Sequence, residues 1–186
     1  MRQNLKKNLR DKTSQNPQKQ IFFFDESRFG THSKIGHGWF KKGTRTEIKI
    51  KLGFQNFYLY SAVNPQTGQD FTLMLPKVNT AHMSLFLKEM AKAMKGAETI
   101  IVMDGAGWHK SANLEIPANI EIIYLPPYSP ELNPIERLWL YIKQDIIKNK
   151  IYASIVELED AVCEFILKRL NTTVLKSICS VSYLFS

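Results

Sequence analysis

Three acidic residues are placed where their carboxylates could do chemistry together. Asp25 follows the apolar run of residues 21–24, and Asp104 follows a second, β-branched run at residues 99–103. Glu136 falls in the first turn of a predicted amphipathic helix. Two carboxylates about 4 Å apart repel by about 4 kcal/mol at an effective dielectric constant of 20, so a fold that pairs them needs a cation or a proton. Hard oxygen ligands select Mg²⁺ or Mn²⁺ over Zn²⁺, and three carboxylates could hold two such ions.

A proline-rich segment at residues 126–134 leads into the helix that carries Glu136. Pro134 suits the first helical position because proline has no backbone N–H to lose there, and Asn133 can cap the helix. An apolar stripe would hold this helix against a core, and it comprises Ile135, Leu138, Trp139, Ile142 and Ile146. An explanation without catalysis also exists, since Asn133 and Glu136 have the spacing of a capping box, and Asp is a common residue at strand ends.

The composition favours one compact domain and a polyanionic partner. The chain has 186 residues, of which 44% are hydrophobic, enough for one well-filled core and too few for two ordinary domains. Its net charge of +8 favours a polyanion, although a merely soluble basic protein would carry the same charge. There is no signal peptide or membrane-length apolar run, and the distant Cys163 and Cys179 suggest neither a disulfide framework nor a zinc site. We therefore expect a soluble, cytoplasmic protein with no membrane partner.

The order of the predicted elements matches a ribonuclease-H-like α/β fold. Three strands come first, in the order of an antiparallel meander, and later strands alternate with helices. We expect strands near residues 21–24, 55–63, 71–75, 99–103 and 120–125, and helices near 80–94, just after 104, from 134 and at 154–170. This order predicts a mixed five-stranded sheet, the meander plus parallel strands, flanked by helices. In that fold the first and fourth strands are neighbours, which would bring Asp25 and Asp104 together.

Three segments resemble the signature motifs of the DDE superfamily endonucleases, specifically bacterial insertion-sequence transposases related to the mariner group. The motifs are FFDES at residues 23–27, DGAGWHK at residues 104–110 and PPYSPELNPIE at residues 126–136. The resemblance extends from about residue 21 to about residue 147. It implies that the three acidic residues are catalytic and bind two Mg²⁺ ions, with Mn²⁺ as a substitute, within a ribonuclease-H-like fold.

The resemblance also implies an activity. Members of this family cut DNA at transposon ends and join the freed 3′-hydroxyl to target DNA. The implied mechanism is phosphoryl transfer with two metal ions and no covalent protein intermediate. Asp25 would bridge both ions, Asp104 would hold one, and Glu136 would complete the shell of the other. The expected location is the bacterial cytoplasm, in association with the nucleoid.

The chain departs from the family pattern in two places. The interval between Asp104 and Glu136 is slightly shorter than usual, which we attribute to a trimmed loop near residues 113–119. Family members generally carry an N-terminal helix-turn-helix region, and residues 1–20 are too short to hold one. We therefore expect the catalytic half of a transposase, from a split element or a decayed copy. A separate helix-turn-helix polypeptide from an upstream frame could supply recognition of the ends, and whether the chain forms a homodimer stays open.

We expect three segments along the chain. Residues 1–20 are predicted to be a basic arm or linker, which either touches phosphate or is only solvated. Residues 21–150 are predicted to form the ribonuclease-H-like catalytic domain. Residues 151–186 are predicted to form a helical extension packed on that domain.

Basic side chains near the acidic residues and in a glycine-rich segment are candidate DNA contacts. The candidates are Arg28, Lys41, Lys42, Arg45, His109, Lys110, Arg137 and Lys143. A solvated surface explains each of these lysines and arginines equally well, and His109 beside Trp108 could be structural. Glu26 should point to the opposite side of the strand from Asp25, so at best it supports a metal ligand without contacting the metal. Glu131 precedes the helix and is not expected to be a ligand.

Two other functions remain open at this point. The chain could be a catalytically idle DNA-binding remnant that regulates transposition. It could also be another nuclease of the same fold, such as one that cleaves junctions or RNA.

Overall fold

The computed structural model describes residues 2–32, 42, 53–148 and 150–181. Helices and strands alternate along these residues after an N-terminal helix. The elements are α1 (Arg2–Gln15), β1 (Gln20–Gly30), β2 (Asn56–Val63), β3 (Asp70–Leu75), α2 (Thr80–Ala93), β4 (Thr99–Met103), β5 (Ile120–Tyr124), a 3₁₀ turn (Pro130–Leu132), α3 (Ile135–Ile146), α4 (Ile155–Arg169) and α5 (Thr172–Cys179). None of the helices in the described ranges is long and apolar enough to cross a membrane.

The strands form one mixed sheet in the order β3-β2-β1-β4-β5. The first three strands pair antiparallel, and β4 pairs parallel with both β1 and β5. The register between β1 and β4 places Phe23 opposite Val102. Asp25 and Asp104 each come two residues later, so they lie at the same level of the sheet. The prediction of a ribonuclease-H-like fold with a meander and parallel strands is confirmed.

Alternate side chains of β1 bury on opposite faces of the sheet. Phe22 and Phe24 pack with Met83 and Phe86 of α2 on one face. Phe23 lies on the other face, in a cluster with Leu132. On that second face, α3, α4 and α5 share a further cluster with β1 and β2, which includes Phe29, Phe57, Leu138, Trp139, Leu158, Val162, Leu175 and Cys179. Core clusters therefore pack against both faces of β1.

Helix α1 corrects the expectation of a basic arm or linker at residues 1–20. Leu5 and Leu9 are four residues apart, so they share one face of the helix, and both are buried beside Phe23. Lys12 pairs with Glu121 of β5. Burying each leucine contributes roughly 1.5–3 kcal/mol, which offsets part of the entropy lost when the segment orders. The sequence prediction missed this apolar face because it is short and lies among many basic residues.

Smaller differences from the sequence predictions concern the ends of elements. Asn79, rather than Thr80, caps α2, because its side chain accepts a hydrogen bond from the backbone N–H of His82. The short helix predicted after Asp104 is a turn. Residues near the C-terminus, which the sequence left unassigned, form α5, capped by Asn171.

Candidate active site

The three acidic residues line one cleft of about 360 Å³, next to the middle of β1 and just beyond the end of β4. Asp25 comes from β1, Asp104 from the turn after β4, and Glu136 from the first turn of α3. The other residues of the wall come from the glycine-containing turn and from the proline-rich lead, and they are Gly105, Ala106, Lys110, Leu125, Pro126, Pro127, Tyr128, Ser129, Pro130 and Asn133. Three segments that are far apart in sequence thus supply carboxylates to one opening.

Asp25 is partly buried and holds a hydrogen bond from α3. The Nε1–H of Trp139 donates to its Oδ2 over 2.8 Å. Burial raises the pKa of Asp25 to about 7, and the negative charges of Glu136 and Glu26 act in the same direction. The hydrogen bond from Trp139 opposes this rise because it favours the ionised form. Burial and the neighbouring carboxylates thus favour the protonated form of Asp25.

Asp104 is more open, with 59% of its side chain exposed. Its Oδ1 accepts hydrogen bonds from the His109 ring, whose Nδ1 is 2.8 Å away, and from the backbone N–H of Ala106, 3.2 Å away. Both of these hydrogen bonds use Oδ1. The other carboxylate oxygen, Oδ2, accepts none from the described residues and is available as a ligand.

His109 lies inside the protein, between two carboxylates. Its ring is 1% exposed; Nδ1 faces Asp104, and Nε2 lies 2.9 Å from Oε1 of Glu26, whose side chain is 6% exposed. Burial alone would lower the pKa of His109, but the hydrogen bond to Glu26 and the charges of Glu26 and Asp104 outweigh it and raise the pKa. Trp108 Nε1–H lies 3.0 Å from Nε2 of His109 and 3.2 Å from Oε1 of Glu26. Because Nε2 needs its own proton to donate to the Glu26 carboxylate, the Trp108 N–H donates to Glu26. Of the two interpretations of His109, a DNA contact and a structural histidine, the burial of the ring favours the second.

Glu26 is placed as its position in the strand predicts. It lies on the α2 face of the sheet, two residues from Phe24, whereas Asp25 faces α3. Phe24 contacts the His109 ring edge-on, at 5.7 Å between ring centroids. The sequence offered no signal that Glu26 and His109 would meet, because they are 83 residues apart.

Asn133 fixes α3 to β1. Its Nδ2 donates to the backbone carbonyl of Phe24 over 2.9 Å, while its Oδ1 accepts from the backbone N–H of Ile135 at 3.4 Å. The helix begins at Ile135. The residue at its N-cap position is Pro134, which makes no capping hydrogen bond through its side chain. Because the Asn133 side chain reaches the residue before Asp25, it sets the distance between β1 and the turn that carries Glu136.

The carboxylates line the cleft without touching one another. Within the described ranges, no three His, Cys, Asp or Glu side chains are close enough to coordinate one metal ion directly. Asp25 and Asp104 each direct one carboxylate oxygen toward a ring nitrogen, of Trp139 and of His109 respectively. The donor set nevertheless fits Mg²⁺ or Mn²⁺, since it consists of carboxylate oxygens around an open cleft.

Lys110 is the predicted basic contact that the structure places in the cleft. Its Nζ lies 5.1 Å from the centre of the Tyr124 ring. A Cβ at position 105 would collide with this ammonium group, so Gly105 lets Lys110 lie close to the backbone beside Asp104. A cation at this place suits a phosphate that enters the cleft.

The remaining basic candidates are dispersed. Arg28 and Lys42 are exposed, while Arg137 donates to the backbone carbonyl of Ser180 over 2.5 Å. Lys143 lies over the ring of Phe29, 5.4 Å from its centre. The other two candidates, Lys41 and Arg45, lie outside the described residues.

Comparisons with known proteins agree with the three motifs. The family model for "DDE superfamily endonuclease" matches residues 20–159. A Sinorhizobium fredii protein, "Uncharacterized protein y4pE/y4sA", is 38% identical over 96 residues, which are 51% of this chain and 71% of that protein. The "Insertion element IS630 uncharacterized 39 kDa protein" of Shigella sonnei is 27% identical over 150 residues, which are 78% of this chain and 44% of that protein.

Solved structures of Mos1 transposase share the fold. The "Mos1 transposase paired-end complex with left transposon end" matches with a TM-score of 0.71 at 16% identity, over 96% of this chain and 56% of that one. The "Mos1 mariner paired end complex with Mn" matches with a TM-score of 0.72 at 15% identity, over 96% and 57%. This chain therefore spans little more than half of the Mos1 chain and less than half of the IS630 protein. Because the family model covers most of the sequence, the chain belongs to the DDE superfamily endonucleases.

Proposed function

We propose that this chain is the catalytic part of a transposase, which cuts DNA at transposon ends and transfers the freed 3′-hydroxyl to target DNA. One observation carries the proposal: Asp25, Asp104 and Glu136, from three distant segments, line a single cleft. Family membership supports endonuclease chemistry. The similarity to an insertion-element protein and the shared fold with Mos1 transposase support DNA ends as the substrate.

We propose that the same three carboxylates hold Mg²⁺, with Mn²⁺ as a substitute, as two ions. Solved Mos1 complexes with Mn and with Mg support the choice of metal. Bound metal would lower the pKa of the attacking water or 3′-hydroxyl and stabilise the leaving oxygen. Asp25 would offer a ligand oxygen from the partly buried side of the cleft, and Asp104 would offer one from the open side. Glu136, which is exposed on the first turn of α3, completes the set.

The chain's other residues would bind and orient the DNA. Lys110 reaches the cleft and can hold the phosphate that is being cut, while Arg28 and Lys42 are exposed and can contact neighbouring phosphates. Such contacts make binding fall steeply as salt increases. Residues 21–150 would form the catalytic unit, and α4 and α5 would brace it through the cluster that they share with α3.

We assign recognition of the transposon ends to none of the described helices. The relatives are longer than this chain. We propose that a helix-turn-helix unit, encoded as a separate polypeptide from an upstream frame, supplies end recognition. A homodimer would bring two clefts to the two ends of the element.

The test is DNA cleavage by Asp104→Asn, compared with the unaltered protein and with Glu131→Gln as a control. Glu131 lies in the 3₁₀ turn of the same motif and is not part of the cleft wall. We expect the unaltered protein and Glu131→Gln to nick end-containing DNA in Mg²⁺ or Mn²⁺, without preference over the random duplex while the helix-turn-helix polypeptide is left out, and Asp104→Asn to bind DNA without nicking it. The substrates should also include a random duplex, a four-way junction and an RNA–DNA hybrid.

The other outcomes have distinct meanings. Equal behaviour of all three proteins, with binding but no cleavage, would overturn the enzyme proposal in favour of a DNA-binding regulator of transposition. Metal-dependent cleavage of the junction or of the hybrid, but not of end-containing DNA, would identify another nuclease of this fold.

A further inference from the structure

We infer that the buried pair of Glu26 and His109 is a positioning device, which orients the Asp104 carboxylate for the divalent cation. This inference rests on the proposed function, because it concerns the same cleft. Neither residue lines the cleft, so neither is assigned to touch DNA or metal.

The His109 ring is fixed before it reaches Asp104. The backbone N–H of His109 donates to the carbonyl of Ala106 over 3.0 Å, and the Tyr124 hydroxyl donates to the carbonyl of His109 over 2.6 Å. Phe24 supports the ring edge-on from β1. The turn after β4 therefore gives the imidazole one defined place on the α2 face of the sheet.

Glu26 then sets the orientation of the ring. Its Oε1 lies 2.9 Å from Nε2 of His109, and Trp108 Nε1–H donates to the same oxygen. This contact leaves Nδ1 of the imidazole directed at Oδ1 of Asp104, 2.8 Å away. Because Glu26 follows Asp25 in β1, the strand that supplies one acidic residue of the cleft also holds, on its other face, the support for the second.

Asp104 is the acidic residue that needs such support. Its side chain is 59% exposed and follows the last residue of β4, so solvent surrounds more than half of it. Hydrogen bonds to one oxygen leave the other as the ligand atom and remove its freedom to rotate away. Groups that orient a metal ligand in this way commonly change metal affinity or activity by about 10–100-fold when they are mutated.

A buried ion pair could instead serve only the stability of the fold, so the test measures metal binding directly. Isothermal titration calorimetry gives the Mn²⁺ affinity of the full chain and of four variants: His109→Ala, His109→Asn, Glu26→Gln and Val162→Ala. The Asn side chain can offer an N–H at the same number of bonds from Cα as Nδ1 of His. Val162 is buried in α4, away from the cleft wall, so its variant loses stability without touching the network.

We expect His109→Ala to weaken Mn²⁺ binding about 10–100-fold, and His109→Asn to recover part of that loss. Glu26→Gln should fall between His109→Ala and the unaltered protein, because it keeps an acceptor oxygen and loses the charge. DNA affinity without metal should stay within about twofold for all variants, since the pair does not line the cleft. Val162→Ala should keep the Mn²⁺ affinity of the unaltered protein.

Urea denaturation of the same samples separates stability from positioning. Unchanged Mn²⁺ affinity in folded His109→Ala, or an equal loss of affinity in Val162→Ala, would overturn the inference and leave the proposed function standing. If the unaltered protein bound no Mn²⁺, both would fall. Should His109→Ala not fold, His109→Asn and Glu26→Gln decide the matter: an affinity below that of the unaltered protein supports positioning, and an equal affinity overturns it.

Discussion

Asp25→Asn should make the metal-free protein more stable at neutral pH, although it removes a proposed ligand. Burial raises the pKa of Asp25 from its ordinary value of 3.8 to about 7. Below pH of about 4, the carboxyl is protonated in both the folded and the unfolded chain. Between pH 4 and 7 the unfolded chain releases this proton while the folded chain retains it, so the free energy of unfolding decreases as pH rises. The asparagine variant has no such proton and should not show this contribution.

The size of the effect follows from the pKa values. At 1.36 kcal/mol for each tenfold change in proton affinity, the rise from 3.8 to about 7 corresponds to at most about 4 kcal/mol. Water in the open cleft reduces this figure. The free energy of unfolding of Asp25→Asn should therefore equal that of the unaltered protein near pH 4 and exceed it by up to about 4 kcal/mol at pH 8. An asparagine oxygen can still accept the Trp139 hydrogen bond.

Urea denaturation between pH 4 and 8 in EDTA measures this difference. Asp160→Asn, an exposed change in α4, is the control and should stay within about 0.5 kcal/mol at every pH. Adding Mn²⁺ should stabilise the unaltered protein, because ligand binding to the folded state raises the free energy of unfolding, and should stabilise Asp25→Asn much less. If the difference in the free energy of unfolding between Asp25→Asn and the unaltered protein does not change with pH, Asp25 does not have a raised pKa and the reasoning is refuted.

Three further predictions concern the contacts that hold the cleft together. Asn133→Ala should lower the free energy of unfolding by about 1–3 kcal/mol, because the buried Phe24 carbonyl loses its donor; an unchanged urea midpoint would contradict this. Leu9→Ala should lower the free energy of unfolding by about 2–5 kcal/mol and speed amide hydrogen exchange in α1. Unaltered exchange in α1 would show that the helix does not depend on the packing of Leu9. Trp139→Phe should raise the pKa of Asp25 further, since an N–H that favours the charged form is lost. The midpoint of Mn²⁺ binding against pH, measured by calorimetry, should then move upward, and an unshifted midpoint would be evidence against this role of Trp139.

The main features of the fold could be predicted from the sequence because they depend on local patterns. The apolar run before Asp25 forms the first half of β1, which continues through Asp25 to Gly30, and the run after residue 98 forms β4. The helix predicted at residues 154–170 is α4, and Ser154 caps it. Helix α1 was missed because only Leu5 and Leu9 form its apolar face among many charged residues. An apolar face of two residues stabilises a helix only when it packs against a core.

The sequence predicted that Asp25, Asp104 and Glu136 would meet, and the structure places all three in one cleft, while their catalytic role stays a prediction. Trp139 was assigned only to the apolar stripe, and His109 either to a DNA contact or to a structural role. Both make hydrogen bonds to carboxylates through ring nitrogens, and the Trp139 bond joins residues 114 positions apart. No local residue pattern predicts a hydrogen bond between partners so far apart in the sequence.

Local patterns in the sequence specify most of the strands and helices and the positions of Asp25, Asp104 and Glu136 among them, because hydrophobic periodicity and capping act over a few neighbouring residues. What each carboxylate contacts depends on the tertiary structure. The direction of a side chain depends on how β1, the turn after β4 and α3 pack together, and this packing joins Asn133 to the Phe24 carbonyl across 109 positions. Hydrogen bonds act over about 3 Å in space, whatever the separation of their partners along the chain.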